Sequence, residues 1–460
     1  MDYDRFLPDE YSRRLGNINK TNQVLANQDI HNDSGLLIIS KNSEVSTDIV
    51  NKIMKHRLAS PLEEQVSLAI SLTPEQLYAS LRGYISSNNE YQQLHSEFSA
   101  EHELQSMCKL YANHTLLIQK LTIFQTELPN YFKKALFCAW MALLIAGRMG
   151  LSSIEKKQLF IAALFQDIGL LHISEEIIEN NSRTTKDQKI FDSHAIIGKT
   201  FLSAIPHIPN GVAKIILEHH DCPEQDNNKK THNTLSQVII ICNQLYQMAN
   251  EEYQEQLSLR GLIPILQVKS ALYFDQVFST TILLFKQSSN TEPQIFKNEQ
   301  EFMEVLSKIL INHTMLASLY KAVGALIKDL DSHFSPPVSL HLKNIGRAIH
   351  KTVTSTGILS EGLSRWVSHI EESGQSIHTQ GAAGQEIQEI FLLQKIVQDQ
   401  FTHFRNSLQH CLSYTDYSLS DTQQQKLTSC YESMTQISRH IDGNSLETEK
   451  YEFNLHKMCI

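Results

Sequence analysis

Four residues in the middle of the chain carry groups that bind hard or borderline divalent metals: Asp167, His194, His219 and His220. Neutral imidazole nitrogen and carboxylate oxygen are the usual donors to iron, manganese and zinc in hydrolytic sites. Their placement adds to their type. In TTKDQKIFDSHAIIGKTFL the apolar stripe runs through Ile190, Ile197 and Phe201, and His194 lies on it. In the next helical stretch Val212, Ile215 and Ile216 form the inward face, and His219 extends it by one turn. Two imidazoles are therefore aimed at the core, where leucine would be cheaper. An unpartnered buried imidazole costs about 1–3 kcal/mol, so something must satisfy both. Two readings stay open: core histidines bonded to carbonyls or carboxylates, or four donors around one metal ion.

The elements that must hold these residues are helical. Ser152 and Glu155 form a capping-box pair ahead of IEKKQLFIAALF, and that helix runs into Gln166 and Asp167. Thr185 and Gln188 predict a second capping box, opening one continuous helix through QKIFDSHAIIGKTFL. VAKIILEHH and LSQVIIICNQLYQMA read as two more helices, separated by the polar stretch EQDNNKKTHN. The longest apolar run, ALFCAWMALLIAG (135–147), is shorter than the roughly 20 residues needed to span a bilayer and reads as a buried helix.

Flanking this middle segment are two others. Residues 1–90 predict a small α/β module, with GLLIIS as a short strand and STDIVNKIMKH as a helix with a Ser or Thr cap. SSNNEYQQ (86–93) is either a linker or a helix start. From 295 to 460 the chain is again helical: Phe302, Val305, Leu306, Ile309, Leu310, Leu316, Leu319 and Val323 mark a long amphipathic helix. SHFSPPVS and GQSIHTQGAAGQ interrupt the pattern before IQEIFLLQKIVQDQF resumes it. The expected fold class is mainly α, in three segments: 1–90, 100–290 and 295–460.

Bulk properties narrow the partners. A formal net charge of −10 over 460 residues argues against nucleic acid or an anionic membrane as the main partner. Seven dispersed cysteines without a CxxC pair read as reduced. The acidic, polar MDYDRFLPDE is no signal peptide, so a cytoplasmic protein without a membrane span is expected.

Taken in chain order, AALFQDIGLLHISEEII, TTKDQKIFDSHAIIG, ILEHHD, VIIICNQLYQMA and YFDQVF resemble successive segments of the HD-GYP family. That family is a branch of the HD phosphohydrolases that cleaves cyclic di-GMP. The resemblance covers about 100–290 and implies an HD-type helical bundle, with Asp167, His194, His219 and His220 at metal-ligand positions. The departures are as informative. Lys134 stands where the family has an upstream ligand histidine, Gln166 replaces the histidine of His-Asp, Leu170 the lysine and Asn243 the closing aspartate. CPEQDNNKK takes the place of the Gly-Tyr-Pro loop.

Hydrolysis of this kind uses two metals, so the resemblance implies a non-catalytic signalling protein, an adaptor or scaffold in a bacterial context. The four remaining donors leave room for one divalent ion, iron, manganese or zinc, and no other cofactor. Two alternatives stand beside this: a divergent phosphodiesterase using the remaining metal, and a receptor that binds cyclic di-GMP without cutting it. The receptor needs cations, for which Arg183, Lys199, Lys229 and Lys230 are the candidates. The expected partners are a protein, or a second copy of the chain forming a homodimer, docked on the apolar faces of the C-terminal helices. The HDOD domain, a relative without metal ligands, is the poorer comparison because of the paired histidines. The first 90 residues are similar to the small domain that often precedes HD-GYP modules, and add no chemistry.

Overall fold

A computed structural model describes residues 7–98, 101–180, 182–209, 211–220, 233–249, 258–268, 275–287, 296, 298–333, 336–373, 381–413 and 420–442. The chain is mainly α-helical. Helix α1 (Glu10–Ile18) opens at Asp9, whose carboxylate accepts the Tyr11 amide at 2.9 Å. Two antiparallel ribbons follow, β1 (Val24–Ala26) paired with β4 (Val66–Leu68), and β2 (Ile30–His31) paired with β3 (Leu37–Ile39). Between them lies α2 (Thr47–Ile53), with Ser46 at its N-cap. GLLIIS therefore supplies β3, and STDIVNKIMKH supplies α2.

α3 (Pro74–Ser86) begins with a Thr73–Gln76 capping box, and α4 (Asn89–Glu97) begins at the Asn88 cap, so SSNNEYQQ is a helix start. α5 (Glu101–Leu110), α6 (Thr115–Glu127), α7 (Pro129–Arg148) and α8 (Ser153–Phe165) come next. Every residue of α7 from Ala135 to Ala146 is buried, as expected of a helix that is apolar all round. The Ser152–Glu155 capping box is present at the start of α8. After a 3-10 turn at Ile168–His172 come α9 (Glu175–Glu179), α10 (Thr185–Asp192), α11 (His194–Ser203), α12 (Val212–Glu218) and α13 (Thr234–Gln247).

Two local expectations change here. The cap of α10 is Thr184, not Thr185, and it receives the Asp187 amide at 3.2 Å. The predicted single helix also breaks at Ser193, whose hydroxyl takes the Ile190 carbonyl at 2.6 Å and so competes with the helical ladder. The break makes His194 the first residue of α11.

The remaining helices are α14 (Ile263–Val268), α15 (Asp275–Gln287), α16 (Glu299–His333), α17 (Pro336–Thr356), α18 (Glu361–Ser373), α19 (Gly381–Ser413) and α20 (Asp421–Asp442). Contacts group the chain into two units, residues 1–251 with 273–284, and residues 252–272 with 285–460. In the first, α7 packs on α8 and α13, and α12 on α8 and α11. In the second, α16 packs on α17, α18, α19 and α20. The stripe read from the sequence is there: Phe302, Leu306, Ile309, Leu316, Leu319 and Val323 are buried. Gly346 lets α17 close on α16, since a Cβ there would lie 2.6 Å from Ile327 Cδ1. By length and composition alone, Glu299–Leu330 is apolar enough to cross a membrane. Of the two interruptions in this region, residues 334–335 and 374–380 lie outside the described residues.

The N-terminal module joins the helical bundle of its unit through buried polar groups. Lys120 on α6, 1% exposed, places Nζ 3.0 Å from His172 Nε2 and 3.9 Å from Glu63 Oε1, above the rings of Tyr11 and Phe201. His172 Nδ1 donates to Asp9 Oδ2 at 2.6 Å. Burial and then Lys120 push His172 below its ordinary value, against the pull of Asp9. Burial would raise Asp9, yet His172 and Lys120 leave it lowered.

Both shifts act in one direction. Below the ordinary histidine value of 6.5 the unfolded chain protonates His172 before the folded chain does, so stability falls as pH drops through that region. His172→Gln should flatten the loss of stability between pH 7.5 and 5.5, by at most about 1.4 kcal/mol per pH unit. Urea unfolding of both proteins at the two pH values measures it, and equal slopes would mean that His172 is not the group responsible.

Candidate metal centre

Three elements bring the four donors together. α8 ends at Phe165 with Gln166 as its C-cap, and its last seven residues, Leu159–Phe165, are all buried, which fixes the height at which Asp167 leaves the helix. α11 begins at His194 because of the Ser193 break. α12 is capped at its start by Gly211, with φ of +101°, and at its end by His219. The donor atoms of Asp167, His194, His219 and His220 all lie within 4.8 Å of one another. Asp167, His194 and His219 are buried, whereas His220 is exposed over the residue as a whole but turns Nε2 inward.

Glycine makes the approach of α11 possible. A Cβ on Gly169 would sit 2.1 Å from the His194 carbonyl oxygen and 2.9 Å from its Cα, so backbone rests on backbone there. Gly198 performs the same service more loosely against Ile216, at 3.3 Å. The glycine of Asp-Ile-Gly is thus required by packing and needs no chemical role.

Protonation of two imidazoles is set by their own helices. His194 Nδ1 lies 2.6 Å from the Phe191 carbonyl, and His219 Nδ1 lies 2.6 Å from the Ile216 carbonyl. A carbonyl only accepts, so each Nδ1 carries the proton and each Nε2 keeps its lone pair. Those two Nε2 atoms are 3.3 Å apart, and lie 3.5 and 3.7 Å from Asp167 Oδ1. His220 Nε2 is 3.1 Å from His194 Nε2 and can donate to it. No such proton serves the His194–His219 pair, where acceptor faces acceptor beside a carboxylate. Burial and then His219 push His194 down to about 4, which keeps that ring neutral. Burial and the two neighbouring rings push His220 lower still. A divalent cation meets the requirement, and imidazole nitrogen with carboxylate oxygen suits iron, manganese or zinc.

The other carboxylate oxygen is differently placed. Lys134 Nζ lies 3.0 Å from Asp167 Oδ2. Burial would raise the Asp167 carboxyl, but Lys134, His219 and His194 hold it well below the ordinary range. Burial would lower the Lys134 ammonium, and Asp167 leaves it raised. Beside this pair Asn243 Nδ2 donates to Gln166 Oε1 at 2.9 Å, and Cys138 Sγ donates to Asn243 Oδ1 at 3.4 Å. Burial pushes the Cys138 thiol up to about 12, so it is a neutral donor. Sequence reasoning placed Lys134, Gln166 and Asn243 here and missed Cys138, one helical turn beyond Lys134 on the same face of α7.

Of the cations considered for a phosphate ligand, two are described. Arg183 is spent on α9, donating to the carbonyls of Ile177 and Ile178 at 2.7 and 2.6 Å. Lys199 is exposed. Lys229, Lys230, Asp221 and the CPEQDNNKK stretch lie outside the described residues.

Residues 118–275 match the family model described as HD domain, which supports the HD phosphohydrolase superfamily for this segment and spans all four donors. No curated protein and no solved structure matches the chain.

Gly169→Ala should destabilise the protein by about 1–3 kcal/mol, because backbone must move to admit the methyl group. Gly198→Ala, facing a side chain that can shift, should cost less. Urea unfolding of the two variants gives the comparison, and the reverse order would mean that the backbone contact at His194 is not the tight one.

Proposed function

We propose that the chain is a non-catalytic, HD-GYP-like signalling protein. It holds one divalent metal at Asp167, His194, His219 and His220, and acts through protein–protein contacts as an adaptor. The observation that carries this reading is the Lys134 ammonium on Asp167 Oδ2. A carboxylate that could bridge two cations meets imidazoles on one oxygen and a tethered cation on the other. Two-metal hydrolysis uses one ion pair to activate water and clamp both oxygens of the phosphate. An ammonium can neutralise charge at the second position, but it cannot make a hydroxide nucleophile there. The Asn243–Gln166 hydrogen bond supports the same reading, because the Gln166 amide oxygen, the atom that could meet a metal, already accepts from Asn243.

When bound, the metal would supply a Lewis-acidic positive centre. Asp167 Oδ1 and the Nε2 atoms of His194, His219 and His220 would hold it, with the rings of His194 and His219 oriented by the Phe191 and Ile216 carbonyls. Lys134 already balances Asp167, so a loaded site is net positive and favours an anion beside it. That charge balance supports a second reading, a receptor for cyclic di-GMP that binds the dinucleotide through its phosphates and does not cut it.

Metal content after anaerobic loading with iron(II) or manganese(II) should be one equivalent per chain, and His194→Ala with His219→Ala should abolish it. Two equivalents would sink the one-metal reading. Lys134→Met should tighten metal binding by about tenfold or more, since it removes a cation from a buried, poorly screened site. Cyclic di-GMP turnover should not exceed that of a His219→Ala, His220→Ala blank. Turnover that depends on those histidines would establish a phosphodiesterase instead.

A further inference from the structure

α1 and the 3-10 turn that follows Asp167 are held together at three points. The Arg14 guanidinium, 4% exposed, donates from Nε to the Leu171 carbonyl at 3.2 Å and from Nη2 to the Ile173 carbonyl at 3.1 Å. Its charge is balanced by Glu127 at 3.7 Å. Four residues before the first of these carbonyls is Asp167. The third point is Asp9, which caps α1 with Oδ1 and holds His172, the last residue of the turn, with Oδ2. Between these points the turn carries Gly169, pressed against the His194 backbone. Lys120 completes the arrangement, bonded to His172 on one side and lying 4.7 Å over the ring of Phe201 in α11 on the other.

Of the groups that set the two ends of the metal centre, the turn after Asp167 is gripped directly from α1 and its Asp9 cap, and α11, which starts at His194, is reached through Lys120 of α6, which also lies over Tyr11 of α1. Arginine suits this task because its planar fork spans two carbonyls at once. Buried as it is, the guanidinium cannot exchange those carbonyls for water, so the turn cannot shift without breaking charge-assisted hydrogen bonds. We propose that Arg14, with Asp9 and His172, is a positioning residue for the metal centre, and that the N-terminal module is the handle through which that centre is adjusted. Displacement of α1 loosens Asp167 and His194. By reciprocity, metal binding tightens α1 on the turn.

The affinity part of this inference rests on the one-metal reading, and the local part does not. Two measurements on the full chain separate them. The first is the affinity for cobalt(II) or manganese(II) of the wild type, Arg14→Met and Arg14→Lys. Arg14→Met should bind at least about tenfold more weakly, as loss of an orienting partner around a metal ligand typically does, and Arg14→Lys should recover part of it. The second is hydrogen exchange without metal. Arg14→Met should speed exchange at residues 168–173 and 194–202, while α3, remote in sequence and built on its own capping box, stays protected. Added metal should slow exchange in α1 of the wild type.

If the wild type binds no metal, the one-metal reading falls, and exchange at residues 168–173 still decides the positioning role. If the wild type binds and Arg14→Met matches it in affinity and in local exchange, the positioning role is overturned. Faster exchange everywhere, α3 included, would also overturn it, because Arg14 would then be a general stabiliser.

Discussion

One carboxylate organises the centre of the first unit. Asp167 is buried with a negative charge, which a protein interior tolerates only when the charge is met on every side. Its Oδ2 is met by Lys134 and its Oδ1 faces the imidazoles of His194 and His219. The two sides are not equivalent. The lysine side is complete, because a tethered ammonium neutralises the charge without any ligand from outside. The imidazole side consists of acceptors turned toward an acceptor, and it calls for a cation. The same side chain therefore separates a half that is stable by itself from a half that is poised to bind.

This asymmetry depends on backbone geometry more than on the identity of the donors. The lone pairs of His194 and His219 point into common space because each ring is fixed through Nδ1 to a carbonyl three residues earlier in its own chain. His194 can reach that space only because Ser193 breaks the helix and Gly169 admits its backbone. Neither Ser193 nor Gly169 contributes an atom to the donor set. Each decides where a donor atom comes to rest, to within tenths of an ångström in a packed interior where nothing shifts freely.

How much of this can be read from the sequence follows from the range of the interactions. The inward placement of His194 and His219 is a matter of helical periodicity, and the Ser152–Glu155 cap is a matter of three residues, so both are readable. The one-residue error at Thr184 is also local: adjacent threonines offer the same chemistry, and only the pairing with Asp187 chooses between them. The network of Asp9, Arg14, Lys120 and His172 is of another kind. Asp9 and His172 are 163 positions apart and Arg14 and Leu171 are 157 apart. Each of the four is a charged or titratable residue that reads as surface on composition alone. Their burial becomes affordable only once all are assembled, which no local pattern reveals. Cys138 was missed for a similar reason, since a cysteine in an apolar helix reads as packing.

The replacements at Gln166 and Asn243 bear on why the fold tolerates the loss of ligands at all. Charged or imidazole donors at both positions would leave a buried cluster in need of an ion, and folding would then depend on its supply. Two amides need none. Asn243 donates to Gln166 and accepts from Cys138, both as neutral hydrogen bonds. Lys134 performs the same service for the remaining charge. The lysine half can thus form with the helices as they pack, whereas the histidine half keeps its requirement for a cation after packing is complete. An ion bound there would act on a structure already formed, and metal binding then follows folding and is not part of it.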